Sequence, residues 1–327
     1  MDPTPKTTNS LRMTRAKLIF NPGSGQPGES PHQLASILSE MQDQGFLPEV
    51  HLTRPDDRLE GVVRRAIQAG IKLIVVAGGD GTIDSVIGAM VGREAVLGII
   101  PTGTRNNVAF NLGITGDIPS SVALLRHGRR LKIDVGRVHI GHTRQWFLEG
   151  LALGLISDLY PMADGLQHGD LGQIGGLLST LVSAAPSNLV IKQDGAQRLE
   201  MSSHMLLISN MPFIGPHFQI SPDVSFKDSF LDLFTFSDMG KLDMLSMAVL
   251  PRAKPLEENG IRQTRFRHVR IVSDPQMPVL ADGTLLSPGA VSVHVHPRAL
   301  SVMAGSKLTG QPAEAAPVAQ PEAATGE

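Results

Sequence analysis

The sequence predicts two lobes: an N-terminal α/β lobe with a helix-covered parallel sheet, followed by an antiparallel β lobe. Three observations predict this. Short apolar runs alternate with amphipathic stretches down to about residue 128, as in a parallel sheet with helices on its faces. Beyond Arg130 strand-like segments follow one another, separated by turn residues such as Gly141-His142 and Asp194-Gly195, as in an antiparallel domain. Three of the early strands end in glycine-rich turns.

Taken in order, residues 16–20 form a short apolar strand, and residues 31–44 carry Leu34, Ile37, Leu38 and Met41 at helical spacing. Residues 50–52 are a second short strand. Leu59, Val62, Val63, Ala66 and Ile67 mark a second amphipathic helix. Residues 72–77 are almost continuously apolar, as in a strand buried on both faces. Ile83, Val86, Ile87 and Met90 define a third helix, and 95–100 another buried strand. In the second half the expected strands are 132–140, 144–151, 189–193, 203–209, 231–236, 265–272 and 291–296. Two helical stretches interrupt them, one with Ile174, Leu177, Leu178, Leu181 and Val182 on one face, the other at roughly 242–250. The apolar stripe at 174–182 suits either core packing or contact with a lipid tail. The expected division is a disordered leader at 1–14, an α/β lobe at 15–130, a β lobe at 131–305 and a disordered tail at 306–327. That tail is rich in Ala, Pro, Gln and Glu, too poor in apolar surface to pack.

Composition narrows the function. A net charge of -2 over 327 residues provides no global attraction for nucleic acid. The chain has no cysteine, which excludes disulfides and zinc sites built on thiolates. The N-terminal MDPTPKTTNSLRMTR lacks the apolar core of a signal peptide. The longest uncharged run, 171–191, is broken by Gln, Ser, Asn, Pro and Gly and makes a poor membrane span. The expected location is therefore cytoplasmic, with any lipid contact peripheral, at the inner face of the membrane.

The glycine-rich turns carry the chemistry. They are Asn21-Pro22-Gly23-Ser24-Gly25, Gly78-Gly79-Asp80-Gly81-Thr82 and Pro101-Thr102-Gly103-Thr104-Arg105-Asn106-Asn107. Ligands of open α/β sheets bind beyond the carboxyl ends of the strands. There, glycines let backbone N–H groups approach an oxyanion, and the following helix adds its positive end. The arrangement suits nucleotide phosphates. Any strand-to-helix turn can contain glycine, but three at successive strand ends, one with an acid between glycines, favour a site. Residues 23–28 also match G-x-G-x-x-G, yet Pro27 and Pro31 delay the helix that this dinucleotide fingerprint needs inside the motif. Walker A, H-R-D, D-F-G, H-E-x-x-H and G-x-S-x-G motifs are absent.

These three turns, read together, resemble the diacylglycerol kinase catalytic-domain family, which includes bacterial diacylglycerol kinases and sphingosine and ceramide kinases. The resemblance runs from residue 16 to 303, through NMPFIGPHFQISP at 210–222 and the closing strands at 266–303. It implies an α/β nucleotide-binding lobe and a β-sandwich lobe with the active site between them. It also implies transfer of the ATP γ-phosphoryl group to a lipid hydroxyl with Mg²⁺, and leaves room for a homodimer. By position, the nucleotide would meet Asn21, Pro22, Gly23, Ser24, Gly25, Thr53, Gly78, Gly79, Asp80, Gly81, Thr82, Ile83, Asp84 and Thr104. A second, structural Mg²⁺ would map to the Asp228 carboxylate with the carbonyls of Ser225 and Phe230.

The chain departs from the family in three places. The glycine after the metal-site aspartate is Ser229, which strains the turn. The family's G-T-x-N-D ends in Asn107, losing a charge. The family's Asp-Gly-Glu, whose glutamate is the proposed general base, is Asp282-Gly283-Thr284 here. Threonine does not accept a proton at neutral pH as a carboxylate does. Either Asp80 or Asp282 takes that role, or catalysis is weak or absent. Asp80 reads as holding Mg²⁺-bound water or accepting the lipid proton, against the alternative of a turn aspartate bonded to local backbone. His294 and His296 share one strand face and read as half-exposed surface, with no third ligand apparent. His168, Arg262, Arg265, Arg267 and Arg270 read as a solvated basic face.

Overall fold

The computed structural model describes residues 13–25, 28–157, 185–196, 198–213, 219–236, 261–306 and 308. The N-terminal lobe alternates β1 (Thr14–Phe20), α1 (Ser30–Asp43), β2 (Phe46–Leu52), α2 (Leu59–Gln68), β3 (Leu73–Gly78), α3 (Asp80–Met90) and β4 (Val96–Pro101), then α4 (Asn107–Asn111) and α5 (Ile118–His127). The four strands are parallel in the order β2-β1-β3-β4. β3 and β4 are apolar along almost their whole length because both faces are covered. Ile19, Ile74, Val76 and Leu97 pack under α2 and α3, with α4 beside them. Leu18, Phe20, Val75 and Ile100 pack under α1 and α5 on the opposite face. α1 and α5 start with proline in the first turn, where no N–H is missed. Asp117 caps α5 by accepting the Ser120 N–H at 2.9 Å.

The second lobe contains β5 (Arg129–Ile140), β6 (Thr143–Phe147), β7 (Gly150–Gly154), β8 (Ser187–Gln193), β9 (Leu199–Ser203), β10 (Met205–Ser209), β11 (Leu231–Phe236), β12 (Ile261–Phe266), β13 (His268–Asp274), β14 (Val279–Ala281), β15 (Thr284–Leu286) and β16 (Val291–Ala304). One antiparallel sheet runs β12-β11-β10-β7-β14-β15. It faces β5, β6, β8, β13 and the first half of β16 across a core of Val138, Phe147, Leu151, Leu206, Ile208, Leu233, Phe266, Val269 and Val293, which makes this lobe a sandwich.

β16 joins the two lobes. Residues 291–294 pair with β13, Ser301 and Val302 pair in parallel with β4, and β5 runs antiparallel along its whole length. The register shifts between His296 and Leu300. Arg298 there has φ of 49° and gives its N–H to Asp134 at 2.7 Å, as at a β-bulge.

Several expected elements differ. The single strands at 144–151 and 265–272 are each two strands, split at Leu148-Glu149 and at Arg267. The strand at 291–296 continues to Ala304. β9, β14 and β15 have no counterpart among the expected strands. Leu308, in the segment expected to be unstructured, packs against the N-terminal core. The helical stretches at 174–182 and 242–250 lie outside the described residues, as does His168.

Candidate active site

The sheet order places β2 and β3 on opposite sides of β1. The helices after β1 and β3 consequently lie on opposite faces of the sheet, and a crevice opens between the carboxyl ends of these strands. The three glycine-rich turns line it and are tied together. Asn21 donates its amide to Thr82 Oγ1 at 2.9 Å and accepts the Gly23 N–H at 3.0 Å. Ser24 Oγ lies 2.7 Å from Thr102 Oγ1. Gly25, at φ +84°, passes so close to the third turn that a Cβ would stand 2.6 Å from the Thr102 carbonyl oxygen.

Gly79 begins α3 in an extended conformation, and the Gly103 backbone packs directly on it. Asn106, left-handed at φ 52°, closes the third turn: its side chain accepts the Gly103 N–H at 3.1 Å and donates to the Gly103 carbonyl at 2.7 Å. Thr53 joins the same rim through its N–H to the Phe20 carbonyl. Pro22, Gly23, Gly25, Gly81 and Thr104 are exposed there. The Gly78 and Thr82 side of the pentad is buried. Ile83 is 1% exposed and packs in the core, so its side chain faces away from the rim.

Beneath the turns four carboxylates converge. Asp80 is not free to face a phosphate: it accepts the N–H groups of Asn107 and Val108 at 3.0 and 3.1 Å and so caps α4. Burial still raises its pKa. Asp282, in the turn between β14 and β15, accepts three N–H groups, from Leu148, Glu149 and Gly150. Even so, burial pushes it up to about 6. Asp84 is held well above the usual carboxylate range by burial and then by Asp282, to which it is also hydrogen-bonded. Glu149, between β6 and β7, is 7% exposed. Burial, then the charges of Asp282 and Asp80, push it well up, whereas the Asn107 side chain and Arg105 pull it down. Like charges this close cannot all ionise together. Thr284 is exposed on β15.

Glu149 is absent from the candidates that the sequence motifs single out, whereas Arg105 and Asn107 stand in the third glycine-rich turn with no contact to a carboxylate foreseen. The available signal is a lone carboxylate inside the apolar run WFLEGLALGL at 146–155.

The expected structural metal site is a turn of hard oxygen groups. Asp228 accepts the Phe230 N–H at 3.0 Å and lies 3.6 Å from the Arg265 guanidinium. Ser229, in place of the family's glycine, adopts a left-handed φ of 71°, and its N–H is held by Asp134 at 2.7 Å. Asp232 is fully buried with Oδ2 unpartnered, and burial pushes it up to about 6. That orphaned oxygen fits a Mg²⁺ here. Among the described residues no group of three His, Asp or Glu side chains is arranged to hold a metal by itself, so carbonyls and water would have to complete the shell. His294 stacks on His268 at 4.2 Å, and His296 meets the edge of Trp146 at 4.7 Å.

Residues 15–138 match the family profile described as diacylglycerol kinase catalytic domain, and residues 162–304 that described as YegS C-terminal NAD kinase beta sandwich-like domain. The chain is 28% identical over 280 residues to "Diacylglycerol kinase" of Bacillus subtilis (strain 168), covering 83% of this chain and 90% of the relative. It is 24% identical over 276 residues to "Diacylglycerol kinase" of Staphylococcus carnosus (strain TM300), covering 82% and 88%. In fold it is similar to the crystal structure of a diacylglycerol kinase from Bacillus anthracis str. Sterne, with a TM-score of 0.71 at 21% identity, covering 90% of this chain and 98% of that one.

Proposed function

Because this chain belongs to the diacylglycerol kinase catalytic-domain family, with a YegS-like C-terminal domain, we propose that it is an ATP-dependent lipid kinase. It transfers the γ-phosphoryl group to the hydroxyl of a diacylglycerol-like or sphingoid-like lipid. The observation that carries this reading is the packing of three glycine-rich turns at the carboxyl ends of β1, β3 and β4, with Gly79 and Gly103 backbone to backbone.

The exposed backbone of Gly25 and Gly81, with the start of α3, offers N–H groups and a positive helix end to the triphosphate. Thr53 and Thr104 add hydroxyls at the rim. Mg²⁺ supplies charge neutralisation on the phosphates. Phosphoryl transfer rests largely on such positioning and neutralisation. Ser225, Asp228 and Phe230, with Asp232 beneath them, would hold the structural Mg²⁺. No helix among the described residues is long and apolar enough to cross a membrane.

One observation favours a second reading. Thr284 stands where the family carries its glutamate, which fits a nucleotide- or lipid-binding protein of the same fold with weakened catalysis. Incubation with radiolabelled ATP, Mg²⁺ and fractionated lipid extracts separates the two. The kinase reading expects label in a lipid fraction. Bound ATP with no labelled lipid in any fraction would support the second reading instead.

A further inference from the structure

We propose that Glu149 is the catalytic carboxylate that takes the proton from the lipid hydroxyl, in the role left open by Thr284. This rests on the kinase reading above.

A proton acceptor needs an oxygen that can face the acceptor hydroxyl. Asp80 has both oxygens engaged by the N–H groups of Asn107 and Val108. Asp282 is engaged by three backbone N–H groups. Asp84 is bonded to Asp282, and its remaining oxygen, Oδ1, is unpartnered but fully buried. Glu149 has the side chain of Asn107 as its hydrogen-bonding neighbour. Asn107 is itself 6% exposed, and its Oδ1 has no partner. Beside the Glu149 carboxylate, this orphaned amide oxygen is a buried acceptor short of a donor. An incoming hydroxyl supplies it.

Glu149 is also held firmly in place. Its N–H is fixed by Asp282, and its carbonyl accepts the N–H groups of Asn210 at 2.9 Å and Met211 at 3.2 Å. Asn210 in turn donates to the Leu148 carbonyl at 2.7 Å and the Asp134 carbonyl at 3.1 Å. Asn107, through its N–H to Asp80, links Glu149 to the phosphate-binding pentad. The side chain thus stands between the β lobe, where a lipid would enter, and the turns that would hold the triphosphate. Such fixed placement is what proton transfer during group transfer requires.

In the step itself, the lipid O–H bond breaks and its proton passes to a Glu149 oxygen. The lipid oxygen bonds to the γ-phosphorus. The bond from that phosphorus to the β,γ-bridging oxygen breaks, and its electron pair leaves on ADP. The proton is released from Glu149 to solvent afterwards. Burial and neighbouring acids raise the affinity of Glu149 for a proton above that of an ordinary carboxylate, as suits a proton acceptor.

The test uses initial rates with saturating MgATP and diacylglycerol in mixed micelles, alongside calorimetric MgATP titration. Glu149→Gln is expected to lower kcat by about 10²-fold while MgATP affinity stays close to that of the wild type. Glu149→Asp, which keeps the carboxylate but shortens it, should fall between the two. Glu149→Gln combined with Thr284→Glu should recover part of the loss, a rescue that a structural role would not produce. Wild-type kcat in Glu149→Gln overturns the role of Glu149 and leaves the kinase reading standing. Loss of MgATP binding in that variant, or activity abolished in Asp84→Asn but kept in Glu149→Gln, overturns it too. No turnover by the wild type with any alcohol overturns the kinase reading and the role of Glu149 together.

Discussion

A methyl group on Gly103 would stand 2.5 Å from the Gly79 Cα, and one on Gly79 would stand at 3.4 Å from the Gly103 Cα. The first distance forces backbone movement; the second needs little. Gly103 therefore decides how closely the second and third turns pack, and Gly103→Ala should separate them. We expect its MgATP affinity to fall at least tenfold and its Tm to drop, read by calorimetric titration and thermal melting. Wild-type affinity in this variant would mean that the contact of the two turns plays no part in nucleotide binding. Ser229 shows how one residue elsewhere offsets local strain. Its left-handed backbone is unfavourable for a side chain, yet the Asp134 carboxylate holds its N–H and, through Arg298, also holds the bulge of β16.

β16 decides whether the lobes behave as one body. It is hydrogen-bonded to β4 of the first lobe and to β13 and β5 of the second, and Leu300 and Val302 lie in the first core while Val291 and Val293 lie in the second. Unfolding either lobe strips one half of this strand of its partners. The single tryptophan, Trp146 on β6, packs against the N-terminal core and lies under the Arg137 guanidinium at 4.5 Å. We expect urea titrations followed by Trp146 fluorescence and by far-UV circular dichroism to coincide. Leu300→Ala should destabilise by about 2–4 kcal/mol, through lost burial and the cavity left, with both signals shifting together. Two separated transitions would show that the lobes unfold independently.

For the whole molecule, acids buried between the lobes link stability to pH. A carboxyl whose pKa is raised on folding binds its proton more tightly in the folded chain. Its contribution is full at low pH and is lost as pH rises through the folded value. For Asp282 that window ends at about 6, and Asp84 and Glu149 act in the same direction. His139, His294 and His296, whose pKa values burial lowers, act oppositely as pH falls below their ordinary range. A comparison of variants cancels the histidine contribution. Asp84→Asn should gain on the wild type as pH rises from about 5 to about 8, by a few degrees in Tm. A constant difference across that range would show that Asp84 is ionised throughout.

The alternation of apolar runs and helical stripes up to residue 128, and the glycines at 23–25, 78–81 and 103, are enough to specify the helix-covered parallel sheet and its three turns. Both are local consequences of sequence: periodicity follows which faces are covered, and glycine marks where backbone must come close. The split of 144–151 into β6 and β7 is hidden, because Leu148 and Glu149 leave the strand to meet Asp282, a residue more than a hundred positions away. The shared strand β16 is hidden for the same reason, since an apolar run does not say which two sheets it enters. Likewise the motifs name Asp80 and Asp282 as candidate bases, while only the tertiary structure shows that backbone N–H groups occupy both. It also brings Glu149 to Asn107. Which carboxylate keeps an oxygen available depends on contacts between distant segments, and these form only when the two lobes close on each other.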